Sequence, residues 1–367
     1  MKSFTVNLTK EDTLIIKGIA IIAIVLHNYF HIFNGVVREN EFGYSPDNFL
    51  MLWSSLQNSF LHFFVNFISM YGHYGVVAFF FVSGYGLAKK YKGIELEHDF
   101  ILKNAIKLWK LFVPILICFV GLAIIKAFIT EDFSSASEHI GVVLCKALSR
   151  ILFISNFYGE TVFWVSGPWW FFSAIFQMYV LYKFLFSKVS STVWLFAIAL
   201  LMVGIQLFYY LNNPDISLIR YNAPAWIPAF ILGIIFAKHE IKLSVFVMIL
   251  LSVVCFIIDY SFITWILGYS LFVFTFLLLL YITKNTILKK IFIKTGELSA
   301  YLFVTNTFVR TFFNTFICKP EYIQPVWLII ITGIIDLLLC FVIAFLYRKI
   351  ILYISKTTCL NSLKWIR

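Results

Sequence analysis

Residues Leu14 to Phe33 read LIIKGIAIIAIVLHNYFHIF, an apolar run with one lysine near its start and two histidines near its end. As an α-helix it covers roughly 30 Å at about 1.5 Å per residue, the thickness of a bilayer's hydrocarbon core. It follows Lys10-Glu11-Asp12, is too long for the apolar core of a signal peptide, and meets no small-residue cleavage pattern before Asn34, so it reads as a retained anchor. A charged group at bilayer depth costs on the order of 2.5 kcal/mol or more, which places it toward a bundle interior or a wet cavity. A neutral imidazole costs less but still wants a hydrogen-bond partner. The polar residues of this run therefore predict a helix walled on one side by protein.

The rest of the chain has the same character. Of 367 residues 61% are hydrophobic and 13% charged, and 43 are Phe, more apolar material than a soluble domain of this length needs. The expectation is an all-α, polytopic membrane protein forming one integral-membrane domain over residues 1–367. Ten spans are expected, at about 14–34, 73–90, 105–128, 168–187, 191–211, 223–238, 243–260, 262–282, 296–317 and 326–347. The net charge of +11 does not point to nucleic acid, because the basic residues sit between apolar spans and form no single patch. With the N-terminus in the cytoplasm, Lys2, Lys364, Arg367 and the other Lys and Arg fall inside, apart from Arg38, Lys126, Lys146, Arg150, Arg220, Arg310 and Lys319. That bias obeys the positive-inside rule and predicts both termini in the cytoplasm. Cys118, Cys145, Cys255, Cys318, Cys340 and Cys359 show no CxxC or metal-ligand spacing and read as small apolar fillers, with no metal expected.

Residues 35–72 read as an outside segment that lies on or dips into the membrane surface, since Asn, Ser and His interrupt its apolar patches. The span from His73 ends in a break at Ser83, Gly84 and Gly86, small residues that let backbones approach closely. Lys103, Lys107 and Lys110, three or four apart, share a helix side. They suit either a grip on acidic lipid or a phosphate-binding patch at the cytoplasmic mouth. Trp164, Trp169 and Trp170 flank Gly167-Pro168; they read as an interfacial aromatic belt or as a stacking platform for a sugar. The span 223–238 is broken by Pro224 and Pro228, which suits a helix surrounded by protein. Asn306 and Arg310 share a helix face, and Arg310 and Asp336 lie at similar depths, roughly 20 Å and 18 Å from the cytoplasmic ends by helical rise, so they can pair. No internal repeat, Walker loop, HExxH or GxSxG stands out.

On the first helix, Lys17, Ile24, Asn28 and His31 fall within about 60° of one another, with His27 about 80° from Lys17 on the same flank. His27 stands about 15 Å from Lys17 along the axis and His31 about 21 Å. One helix thus offers a cation near one membrane surface and imidazoles toward the other. The spacing suits a long, thin donor whose charged head stays inside while its reactive end reaches the histidines, and imidazole is the natural general base for a hydroxyl acceptor.

These residues also carry a likeness to a known family. KGIAIIAIVLHNY resembles the first helix of the membrane acyltransferase-3 family, integral-membrane O-acyltransferases of bacterial surface polysaccharides. FFFVSGYGL (79–87) resembles its FFxxSGF segment, and the lysine-rich run ending at Pro114 its basic stretch. PWWFFSAI (168–175), AFILGIIFA (229–237) and GELSAYLFVTN (296–306) resemble its later motifs, in family order. The resemblance implies ten helices in the bacterial inner membrane and transfer of an acyl group, commonly acetyl, from cytoplasmic acyl-CoA to a hydroxyl of a cell-surface or lipid-linked glycan. Its first-helix histidine falls on Asn28, with His27 one residue early, and its ninth-helix histidine falls on Asn306. The expected catalytic residues are His27, His31 and Asn28. Acetyl-CoA, as co-substrate, is expected at Lys17, Lys103, Lys107, Lys110, Ser83 and Gly84, and the acceptor at Trp169, Trp170, Asn306 and Arg310. Two other readings stay open: a transporter or flippase for a lipid-linked glycan, gated by Arg310 and Asp336, and a catalytically silent family member.

Overall fold

The computed structural model describes residues 3–357 except 214 and 258; Lys2, Cys359, Lys364 and Arg367, which enter the sequence reading, lie outside the described residues. A short strand β1 (Ser3–Val6) leads into α1 (Lys10–Phe30), α2 (Pro46–Asn58), α3 (Phe60–Tyr71), α4 (Gly75–Lys90), α5 (Phe100–Thr130) and α6 (Phe133–Ile151). There follow the single turn α7 (Gly159–Val162), α8 (Trp170–Leu181), α9 (Thr192–Asn212), α10 (Ser217–Tyr221) and α11 (Ala223–Lys238). Strand β2 (Ile241–Ser244) precedes α12 (Val245–Ile257), α13 (Phe262–Leu271), α14 (Val273–Thr283), α15 (Leu288–Phe316) and α16 (Val326–Thr357).

Among the described residues six stretches are long and apolar enough to cross a membrane: Lys10–Phe30, Phe60–Lys90, Phe100–Thr130, Thr192–Asn212, Phe262–Thr283 and Val326–Lys356. The chain is a helical, multi-pass membrane protein. The other expected spans are helical too, but α8, α11 and α12 are short and α15 opens on lysines. Helices α5, α9 and α16 turn most of their apolar side chains outward, as lipid-facing helices do, whereas α1 and the α3–α4 stretch are chiefly buried.

The described residues are helical almost throughout, as expected, with one small ribbon in which β1 and β2 pair antiparallel, Phe4 opposite Leu243 and Val6 opposite Ile241. In β1 Phe4 and Val6 turn inward while Ser3 and Thr5 face out, the alternation of a half-buried strand. The span expected from residue 243 accordingly starts as strand and becomes helix at Val245. One expectation is corrected: the outside segment expected over 35–72 ends at α3, which runs through a 3₁₀ turn (Gly72–Tyr74) into α4 as one stretch long and apolar enough to cross a membrane. Its polar residues are satisfied by protein: the Val37 amide donates to Asn66 Oδ1 at 2.8 Å, and Ser69 Oγ donates to the Val37 carbonyl at 2.5 Å. Polarity there marks a face turned toward the bundle, where partners exist.

The start of α1 is set by a capping box, in which the Asp12 amide donates to Thr9 Oγ1 at 3.1 Å and the Thr9 amide to Asp12 Oδ2 at 2.9 Å. Its burial depends on glycines. Gly18 lies against the Phe292 carbonyl of α15 and Gly296 of α15 against the Leu14 carbonyl of α1; Gly72 and Gly75 meet the Ala23 and Ala20 carbonyls. Helices α4 and α11 repeat the device, with Gly84 on the Phe230 carbonyl and Gly233 on the Phe81 carbonyl. A side chain at any of these positions would strike backbone, so the glycines set the interhelical distances.

Gly84→Val forces a Cβ into that backbone contact, and overpacking costs about 1–3 kcal/mol or more. Thermal unfolding of the detergent-solubilised variant is expected to fall by several degrees or to yield no folded protein. Gly121→Ala, where nothing lies within 4 Å, is expected to leave the melting temperature unchanged or raised.

Candidate functional site

Helix α1 places His27 and His31 one turn apart with their rings stacked, centroids 4.6 Å apart and planes 7° from parallel. His27 Nδ1 lies 2.7 Å from the Ser69 carbonyl oxygen, and His31 Nδ1 lies 2.9 Å from the His27 carbonyl oxygen. A carbonyl only accepts, so each Nδ1 carries the proton and each Nε2 keeps its lone pair. The geometry thus sets both imidazoles in the tautomer a general base at Nε2 requires.

The C-terminal end of α1 also draws in Arg310. The last carbonyls of a helix lack intrahelical partners and favour a cation. Arg310 Nη1 donates to the Asn28 carbonyl at 2.6 Å. The anticipated pairing with Asp336 is not made: among the described residues Asp336 Oδ1 has no hydrogen-bond partner, and Oδ2 is met by Cys340 Sγ at 3.7 Å. Helix α15 spends its arginine on the orphan carbonyl of α1 and leaves the carboxyl of α16 to a thiol.

His27, Asn28, His31, Arg310 and Trp170 line one cavity of about 270 Å³, closed on other sides by Asn40, Glu41, Phe42, Phe163, Gly167 and Phe303. Glu41 reaches it from the segment between α1 and α2. Burial pushes its carboxyl up to about 7, with its own backbone amide and the Arg220 guanidinium pulling the other way. Arg220 is wholly buried; its guanidinium sits 4.0 to 4.8 Å from the ring centres of Tyr269, Trp265 and Trp226, and Nε donates to the Glu41 carbonyl at 2.7 Å. It thereby fastens the loop bearing Glu41 to the bundle. Buried Arg150 does the same for the opposite wall, its Nη2 donating to the carbonyls of Thr161, Val162 and Trp164 at 2.7, 3.1 and 2.9 Å. Val165, at φ +73°, then turns the chain toward Gly167.

A second cavity of about 220 Å³ lies toward the start of α1, lined by Lys17, Ser83, Lys107, Tyr179, Ser299 and a ring of apolar side chains that includes Phe79, Phe171 and Phe303. Two ammonium groups and three hydroxyls around apolar walls form a site for an extended molecule with polar or anionic groups at one end. Contacts at and just before the start of α1 locate this end of the bundle: Glu11 pairs with Lys289 at 2.7 Å and Asn7 accepts from Lys89 at 3.0 Å, so lysines gather around the N-terminus of α1.

The other residues singled out in the sequence line neither cavity. Lys103 pairs with Glu97 and Asp99 on the surface, and Lys110 Nζ is buried with no hydrogen-bond partner among the described residues. Gly84 is a packing residue against α11. Trp169 is in the core, its Nε1 donating to the Val304 carbonyl at 3.2 Å. Asn306 is buried, accepts from Thr307 Oγ1 at 3.2 Å and has no partner for Nδ2 among the described residues. His73 lines neither cavity but packs beside the first. Its ring lies 5.1 Å from that of His27, and its Nδ1 is 2.5 Å from Tyr269 Oη. The only signal for it was an imidazole opening an apolar run; Glu41 in its loop gave none.

No curated protein and no solved structure matches the chain. The family model described as an acyltransferase domain, acyltransferase-3, matches residues 15–345. That range takes in every residue named on the walls of the two cavities. The chain therefore belongs to the acyltransferase-3 family and is a membrane acyltransferase.

Proposed function

We propose that the protein moves an acyl group, acetyl by preference, from cytoplasmic acyl-CoA to a hydroxyl of a cell-surface or lipid-linked glycan, in a bacterial inner membrane crossed ten times with both termini in the cytoplasm. The observation that carries this reading is the pinned pair of imidazoles, His27 and His31, in one cavity, with a lysine-bearing cavity farther down the same helix. The lysines around the N-terminus of α1 support a cytoplasmic end there.

In this reading Lys17 and Lys107 attract the anionic donor, and the smaller cavity takes its thioester arm and not its nucleotide. The acceptor sugar lies in the larger cavity against Trp170, with Glu41 accepting hydrogen bonds from its hydroxyls. His27 Nε2 takes the proton of the attacking hydroxyl as its oxygen forms the ester bond to the acyl carbon; His31, stacked on it, is the second candidate base. The carbon–sulfur bond breaks, and the leaving thiolate takes the proton that His27 accepted, giving the CoA thiol and a neutral imidazole. The Asn28 amide and Arg310 stabilise the negative charge that builds on the acyl oxygen. Asn28, at the position where the family's histidine is expected, acts here as a hydrogen-bond donor beside a shifted base.

Mass spectrometry of surface glycans, with transfer assays on purified protein, tests the assignment. General bases contribute about 10²–10⁴ in rate, so His27→Ala is expected to lower transfer at least about a hundredfold while the protein stays in the membrane. Full acylation in both His27→Ala and His31→Ala would end the imidazole mechanism. Lys17→Gln and Lys107→Gln are each expected to raise KM for acyl-CoA by about tenfold, the weight of one charge-assisted contact. Lys103→Gln, already paired with acidic neighbours, is expected to leave KM within about twofold.

A further inference from the structure

The two cavities follow one another along the same four helices and share one lining residue, Phe303. On α1 the lining changes from Lys17 to Ile24 and His27, on α4 from Ser83 and Phe79 to Val76, and on α8 from Phe171 to Trp170. On α15 it changes at one residue, since Phe303 lines both chambers. The rings at this crossover pack on one another: Phe303 lies 4.9 Å from Phe171 and 6.2 Å from Phe79, and Phe79 lies 6.0 Å from Phe171. Three helices each supply one ring to the same level.

We propose that Phe303, closed against Phe171 and Phe79, is the partition between the donor and acceptor chambers and sets the size of the acyl group that passes between them. The proposal rests on the acyl-transfer reading for the passing group, but the partition itself does not. Phenyl rings have no hydrogen bonds to break on rotating, so a small group can displace them locally. A longer chain needs a wider opening, which close-packed neighbours resist. The lysine side of α1 and its imidazoles are about 15 Å apart along the axis, so the reacting end of any donor held at Lys17 must cross this level.

Two measurements test the proposal separately. In a chain whose six native cysteines are replaced by alanine, Ser299→Cys puts a thiol in the donor chamber. A small, membrane-impermeant methanethiosulfonate cation is applied to sealed vesicles from the face on which Glu41 lies. With Phe303 present the thiol is expected to stay unmodified, and with Phe303→Ala to react at least tenfold faster; equal rates overturn the partition. In the transfer assay the ratio of butyryl to acetyl transfer is expected to rise at least tenfold in Phe303→Ala, with Phe303→Leu in between and available should the alanine variant not fold. Acetyl transfer by wild type with an unchanged ratio in both variants overturns the size selection and leaves acyl transfer standing. Opened labelling in a protein that transfers nothing supports the partition and counts against acyl transfer.

Discussion

Everything in this structure depends on α1 being surrounded by protein. Between helices in lipid there is little hydrophobic gain, because a tail is as apolar as a leucine, so association rests on close packing and polar contacts. Gly18 against Phe292 and Gly296 against Leu14 bring α1 and α15 together backbone to backbone, and Gly72 and Gly75 do the same for the α3–α4 junction. Only inside that wall do Lys17, His27 and Arg310 escape the cost of facing acyl chains.

The same packing explains how the site keeps its chemistry. A buried imidazole is usable as a base only if its other nitrogen is satisfied, and here backbone carbonyls do that work: Ser69 for His27, and His27 itself for His31. The carbonyl of Ser69 is available because α3 is packed on α1, so the segment that interrupts its own apolar run with polar residues is also the one that orients the His27 ring. Buried Arg220 and Arg150 each tie down a loop that closes the cavity beside His27, Arg220 through Nε on the Glu41 carbonyl and Arg150 through Nη2 on the carbonyls of Thr161, Val162 and Trp164. Both are structural cations whose effect is felt in the cavity.

Much of the helical framework was legible in the sequence because long apolar runs in a chain this hydrophobic admit few alternatives. The grouping of Lys17, Asn28 and His31 on one flank of α1 followed from helical periodicity. What failed did so for identifiable reasons. Asn66 and Ser69 read as breaks in a membrane segment because their partner, Val37, comes from a loop with no periodic pattern. SFTV was too short to read as a strand until IKLS lay beside it. Depth alone suggested that Arg310 meets Asp336, but depth says nothing of azimuth, and the orphan carbonyl of Asn28 competes for the same guanidinium. Trp169 and Trp170 are adjacent in sequence, yet only the second reaches the cavity, since successive residues on a helix point about 100° apart.

The small ribbon at the start of the chain has a mechanical role beyond its size. A two-stranded sheet is barely stable by itself; this one joins the lead-in to α1 to the connection between α11 and α12, and α11 is locked onto α4 by Gly84 and Gly233. It therefore indexes α1 against its neighbours. A slip of one residue would translate the helix by about 1.5 Å and rotate it by about 100°, swinging lysine and imidazole away from their chambers together. The clasp is thus a phase-setting device for a site that begins more than a helical turn beyond it.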